Sequence, residues 1–175
     1  MIIGGSQGAK IFDTLINETI LSISKSCSIN VIHQTSEKNM VYLKNFYKIN
    51  SIKSNVFSFD QNLNEYMKHS DLCISRSGAS SLAELSLMNI PFIAIPLPNS
   101  KDNHQYENAK YYYDKNCCWI IDQKKFDKNK FEELLLKISK KDEDYIIKKE
   151  NLKKLNYQNT WNNVNQNLLE ILNEN

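Results

Sequence analysis

The stretch Leu72-Cys73-Ile74-Ser75-Arg76-Ser77-Gly78-Ala79-Ser80-Ser81-Leu82-Ala83-Glu84 decides the fold. Residues 72–75 read as a short buried strand, Gly78 as a sharp turn, and residues 80–88 as a helix capped by Ser80 or Ser81. A strand that turns straight into a helix is the repeating unit of a parallel α/β sheet. The alternation continues in both directions. Residues 2–3, 29–33, 55–59, 92–95 and 118–121 read as strands, with helices at 9–24, 37–47, 63–68 and 105–115. Beyond Asp122 the pattern is helical: Asp127 caps a helix to Ser139, and two more helices follow at 142–155 and 160–172. The expectation is a doubly wound parallel sheet of about six strands, α/β and Rossmann-like, with extra C-terminal helices and 1–175 as one domain. Such sheets bind ligands beyond the carboxyl ends of their strands. The loops after Ile3, Ser75 and Ile95, which carry the most chemistry, all fall there.

Composition narrows the function classes. A net charge of +2 on 175 residues is too small for a nucleic-acid surface, and hydrophobic residues at 41% describe an ordinary globular chain. No apolar run is long enough to span a bilayer, and no signal peptide is visible, so the expected location is cytoplasmic. Cys27, Cys73, Cys117 and Cys118 lack metal-ligand spacing and read as reduced, structural thiols, with Cys73 in the core. No metal and no cofactor is expected. The lysine pairs read as solvated faces that leave open a weak attraction to anionic headgroups. Of the 22 lysine and arginine residues only Arg76 is an arginine, and its planar fork, inside the deciding stretch, points to site architecture or ligand contact.

The loaded loops supply candidate residues. Gly4-Gly5-Ser6-Gln7-Gly8 suits a strand-to-helix turn whose amides meet an anion, although it matches neither a dinucleotide fingerprint nor a P-loop. With Ser80 as cap, Glu84 lies one turn into the helix, placed either to take ribose hydroxyls or simply to complement the helix dipole. His104 and Gln105 follow a polar loop, and Gln105 can both donate to and accept from sugar hydroxyls. His33 and His69 have no motif context and read as incidental. Within Tyr111-Tyr112-Tyr113 at least one ring belongs to the core.

Together these motifs resemble the C-terminal half of the MurG family of glycosyltransferases. The carriers are residues 3–9, Val56-Phe57-Ser58-Phe59-Asp60 with Met67, and Ser70-Asp71-Leu72 running into residues 75–79 and Glu84. Pro91, Pro96, Pro98 and Asp102-Asn103-His104-Gln105 with Asn108-Ala109 complete the set. The resemblance implies the donor half of a two-domain GT-B enzyme that moves N-acetylglucosamine from UDP-GlcNAc to undecaprenyl-diphospho-muramyl-pentapeptide in peptidoglycan synthesis. Carried over by position, Ser6 lies near the diphosphate and Asp60 lends main-chain groups to the uracil. Ala79, Ser80, Ser81 and Leu82 offer amides to phosphate beside Arg76, Glu84 takes the ribose, and His104 and Gln105 read the sugar. No catalytic residue is evident in this half. Asp60, where an apolar residue is common, and Asn89, in place of a glycine, depart from the family pattern.

The short first strand reads as cut, so the acceptor domain is expected to be absent, and with it the lipid-linked acceptor site. Peripheral contact with the inner face of the cell membrane belongs to the same expectation. A donor subunit of a two-chain GlcNAc transferase, a nonenzymatic UDP-sugar-binding remnant and a UDP-sugar hydrolase are the competing readings.

Overall fold

The computed structural model describes residues 1–4 and 9–158. The strands are β1 (Ile2–Ile3), β2 (Asn30–Gln34), β3 (Lys53–Phe57), β4 (Cys73–Ser75), β5 (Phe92–Ala94) and β6 (Cys118–Ile120). The helices are α1 (Asn17–Ser24), α2 (Glu37–Ile49), α3 (Leu63–Lys68), α4 (Ala79–Leu87), α5 (His104–Asp114), α6 (Lys128–Ser139) and α7 (Glu143–Gln158). All strand pairs are parallel, in the order β3-β2-β1-β4-β5-β6. The expected doubly wound sheet is therefore present, and its strand order reverses between β1 and β4. That reversal opens a crevice at the carboxyl ends, the usual ligand position in this architecture.

Alternation along the strands sends neighbouring residues to opposite faces. Ile2, Val31, Ile74 and Ile93 join one core with residues of α1, α2 and α6. Ile3, Cys73, Phe92 and Ala94 join the other, with Leu82 and Leu85 of α4, Ala109 of α5 and Leu152 of α7. Both faces are covered, which is why these strands are nearly continuous apolar runs. The four cysteines are free thiols, three of them buried. Tyr112 is the half-buried member of the tyrosine run and packs edge-on against Phe92, 5.4 Å between centroids.

Several boundaries differ from the expectation. The third strand sits earlier, at 53–57 rather than 55–59, because Asn30–Gln34 pairs with Lys53–Phe57; Phe59 then projects into solvent at 77% exposure. The helix expected over 9–24 contains a π-turn, Phe12–Ile16. Thr14, Asn17 and Thr19 each bond back to the carbonyl four residues earlier, at 2.9–3.0 Å. Such bonds compete with the backbone ladder and loosen it locally. Asp127 caps α6 as expected, its Oδ1 accepting from the amides of Asn129 and Lys130. The helix expected at 160–172 lies outside the described residues.

Candidate functional site

The site is built where β1, β4 and β5 end. At β4 the chain passes through Arg76 and Ser77 to Gly78, which is the N-cap of α4 in extended conformation (φ −65°, ψ 138°). Helix α4 thus starts at Ala79, earlier than expected. No side chain caps it, so Ser80 and Ser81 are first-turn residues rather than caps. The amide of Leu82 donates to the Gly78 carbonyl at 3.0 Å, and its side chain is fully buried. Leu82 therefore cannot offer its amide to a phosphate. Among the described residues, the amides of Ala79, Ser80 and Ser81 have no partner; they are the orphan donors of any helix start, at the positive end of the dipole. Glu84 falls in the second turn instead of the first, half-buried and in no ion pair among the described residues.

Gly78 needs no special conformation, and a Cβ there would meet only Ser81 Oγ, at 3.9 Å. The fold does not demand glycine at this point. A helix mouth left open for an approaching group explains it better than the turn does.

Three side chains weld this loop to the one after β5. Arg76 Nη1 donates to the carbonyls of Ile95 and Pro96, at 3.0 and 3.2 Å, while its guanidinium lies 5.2 Å from the centroid of the Phe12 ring. Partial burial lowers its pKa without threatening its charge. Gln105 Oε1 accepts from the amides of Ser77 and Leu97, at 3.3 and 3.0 Å. Asn108 Nδ2 donates to the Ser77 carbonyl at 3.0 Å. Gln105 and Asn108 stand three apart on α5 and so share a face, which lets one helix hold both backbone groups of Ser77. The carbonyl expected to read a sugar is thus already committed, leaving Gln105 only Nε2 to donate outward. Arg76 likewise spends Nη1 on the scaffold.

Asn108 escaped notice as a site residue, although its spacing from Gln105 was the available signal. Replacing Asn108 with alanine strands the carbonyl of a fully buried residue and is expected to cost about 1–3 kcal/mol, measured by urea unfolding.

His104 is exposed at the rim with Nδ1 2.7 Å from the Lys101 carbonyl, so that nitrogen carries a hydrogen, while Nε2 has no partner among the described residues. The preceding residues Asp102 and Asn103 both hold left-handed conformations, φ 51° and 55°. Asp60 follows β3, away from the switch point. Its carboxylate accepts from the Asn62 amide and the Tyr66 hydroxyl, both at 2.8 Å, and these bonds hold its pKa below the ordinary value. Each carboxylate oxygen thus already serves the local turn. Ser6 lies outside the described residues.

Two cavities flank this arrangement. One of about 240 Å3 opens beside Pro96, Leu97, Tyr106 and Asp122, adjoining the site. Another of about 330 Å3 lies at the opposite ends of the strands, between 28–32 and 69–72, away from the site. Among the described residues, no group of three or more His, Cys, Asp or Glu could hold a metal ion.

A six-stranded parallel sheet whose switch point carries an open helix mouth and a nearby carboxylate is a doubly wound α/β domain, the architecture of the C-terminal half of GT-B proteins. Residues 1–164 match the glycosyltransferase family 28 C-terminal domain, and the chain belongs to that family. It is 42% identical over its whole length to the UDP-N-acetylglucosamine--N-acetylmuramyl-(pentapeptide) pyrophosphoryl-undecaprenol N-acetylglucosamine transferase of Pelagibacter ubique, and covers 49% of that protein. The Rickettsia bellii transferase of the same description is 37% identical over 140 residues, 78% of this chain and 39% of its own length. In structure the chain resembles MurG of Acinetobacter baumannii, with a TM-score of 0.77 at 21% identity, covering 99% of this chain and 49% of that one. The chain thus spans about half the length, or less, of these relatives.

Proposed function

We propose that this chain is the donor half of an inverting GT-B glycosyltransferase that holds UDP-GlcNAc for transfer to undecaprenyl-diphospho-muramyl-pentapeptide. The observation that carries the reading is the open start of α4 at the switch point, with three amides that have no partner among the described residues, a glycine whose φ and ψ any residue could adopt, and Glu84 one turn further on. The names of the Pelagibacter and Rickettsia relatives supply the donor and the acceptor. In this reading the amides of Ala79, Ser80 and Ser81 take the diphosphate and stabilise the charge that grows on UDP as it leaves. Glu84 accepts from the ribose hydroxyls. Gln105 donates through Nε2 and His104 accepts through Nε2 at the sugar, while the main chain at Asp60 faces the uracil and Ser6 the diphosphate. Arg76 holds the loops in register. Attack by the acceptor hydroxyl inverts the anomeric carbon, with the acceptor held by the other half of the enzyme. No helix among the described residues is long and apolar enough to cross a membrane. The proposed setting is the cytoplasmic face of the membrane, where the lipid-linked acceptor is met peripherally.

A Gly78→Ala substitution separates this reading from a purely structural one. The backbone accepts alanine at this φ and ψ, so the fold is expected to persist with a loss of about 0.5–1.5 kcal/mol from alanine's weaker N-cap preference. UDP-GlcNAc affinity is expected to fall at least tenfold, about 1.4 kcal/mol, because the new methyl stands in the helix mouth. Unchanged affinity contradicts the placement of the diphosphate. The chain alone is expected to bind UDP-GlcNAc and transfer nothing to the lipid-linked acceptor.

A further inference from the structure

A buried polar cluster lies under the turn that follows the glycine-rich loop, apart from the groups assigned above. Asp13 on the π-turn, Asn17 at the start of α1, His33 on β2, Thr35 just beyond it and Tyr47 on α2 are each 4% exposed or less. Their hydrogens can be counted. Asn17 Nδ2 donates to the Asp13 carbonyl at 3.0 Å, which turns its Oδ1 toward Tyr47 to accept the phenol hydrogen at 2.6 Å. Tyr47 has no other hydrogen, so its 2.9 Å contact with His33 Nδ1 is filled from the imidazole. His33 Nε2 then stands 3.3 Å from Asp13 Oδ1. A neutral ring with its hydrogen on Nδ1 sets a lone pair against a carboxylate oxygen. The other neutral tautomer empties the Tyr47 contact instead. Either way the chain of contacts is one hydrogen short.

We infer that His33 and Asp13 form a buried imidazolium–carboxylate pair whose extra proton lets Nδ1 fill the Tyr47 contact while Nε2 meets the Asp13 carboxylate as a charge, pinning the π-turn to β2 and α2. The carboxylate is prepared for charge: Oδ2 accepts from Asn39 Nδ2 at 2.6 Å, and Thr35 Oγ1 lies 3.0 Å from both oxygens. Burial opposes that charge, but the bonds from His33, Asn39 and Thr35 hold the Asp13 carboxyl below its ordinary pKa. Burial is the largest influence on His33 and pulls its pKa below the ordinary value; the Asp13 carboxylate works the other way, and the buried Met1 α-ammonium adds weakly to the lowering. Tyr47 remains a neutral phenol, its pKa pushed up by burial and by the Asp13 charge. The His33–Asp13 contact is an ion pair off the line of a good hydrogen bond, since Nε2 finds no partner of that geometry. The missing hydrogen decides for the charged ring. His33 is therefore not incidental, as its lack of a motif suggested. Its pairing positions the turn that begins at Phe12, the ring beneath Arg76.

The test is NMR of the intact chain with 15N-labelled histidine at pH 7, His33 being assigned among the three histidines by its loss in His33→Gln. Both ring nitrogens of His33 are expected at protonated shifts. In Asp13→Asn one nitrogen becomes unprotonated, because the introduced amide donates its own hydrogen to Nε2. A wild-type His33 with an unprotonated nitrogen at pH 7 overturns the inference. The positioning role rests on the donor-site reading and is tested by UDP-GlcNAc titration. Asp13→Asn is expected to keep affinity within twofold, and Asp13→Leu to lose at least tenfold. Equal affinity in Asp13→Leu overturns the positioning role. Failure of the wild type to bind UDP-GlcNAc refutes the donor reading alone and leaves the proton assignment standing.

Discussion

Arg76→Ala is expected to lower stability by about 2–4 kcal/mol and to weaken nucleotide-sugar binding in step. Among the described residues, the guanidinium is the only group hydrogen-bonded to the carbonyls of Ile95 and Pro96. Hydrogen bonds from a charged donor contribute about 1.5–3 kcal/mol each when both partners remain, and the contact with the Phe12 ring adds about 0.5–2 kcal/mol. These terms overlap, and Arg76 is only half-buried, so the sum is an upper bound. Arg76→Lys is expected to recover little. An ammonium on a flexible stem cannot bridge two carbonyls and still lie flat over an aromatic ring. Guanidinium chloride unfolding of the three proteins, read together with UDP-GlcNAc titrations, checks both parts. A lysine variant equal to the wild type would remove the argument for a planar fork.

Phe12→Ala carries the second large effect, about 3–5 kcal/mol for deleting a fully buried ring. In a chain of this size that is a fall in Tm on the order of 10 °C. Part of the loss is shared with Arg76, because the ring is the floor on which the guanidinium rests. A double-mutant cycle of Phe12→Leu with Arg76→Ala is expected to show positive coupling of about 0.5–2 kcal/mol. Strict additivity would mean that the π-turn and the β4 loop are energetically separate. The coupling matters for function because Phe12 belongs to the unit that follows the glycine-rich loop, while Arg76 opens the loop that leads to α4. One ring joins the two halves of the proposed phosphate cradle.

Much of this was legible in the residues. Short apolar runs alternating with helical periodicity fixed a parallel sheet, and the loaded loops after Ile3, Ser75 and Ile95 all emerged at its carboxyl rim. Local pattern failed where tertiary pairing overrode it. The third strand slid two residues because Lys53, Ser54 and Asn55 form its exposed half, and an edge strand needs few apolar residues to be a strand. The sequence places the cap of α4 two or three residues late, at Ser80 or Ser81, because serine is the stronger capping residue, whereas the chain uses Gly78 and no side chain caps the helix. Gln105 stood in the right place, yet no sequence shows that its carbonyl faces two loop amides rather than a ligand. His33 was invisible for the same reason: its partners Asp13 and Tyr47 come from two other elements. Hydrogen counts need coordinates.

The central claim is that the open start of α4 and Glu84 hold the diphosphate and ribose of UDP-GlcNAc. Isothermal titration of the chain with UDP-GlcNAc, beside Glu84→Ala and a cytidine nucleotide control, tests it most directly. The expected result is saturable one-to-one binding to the wild type, at least tenfold weaker binding to Glu84→Ala at unchanged melting temperature, and none of the cytidine nucleotide. Equal binding of UDP-GlcNAc to wild type and Glu84→Ala, or no binding to the folded wild type, would contradict it.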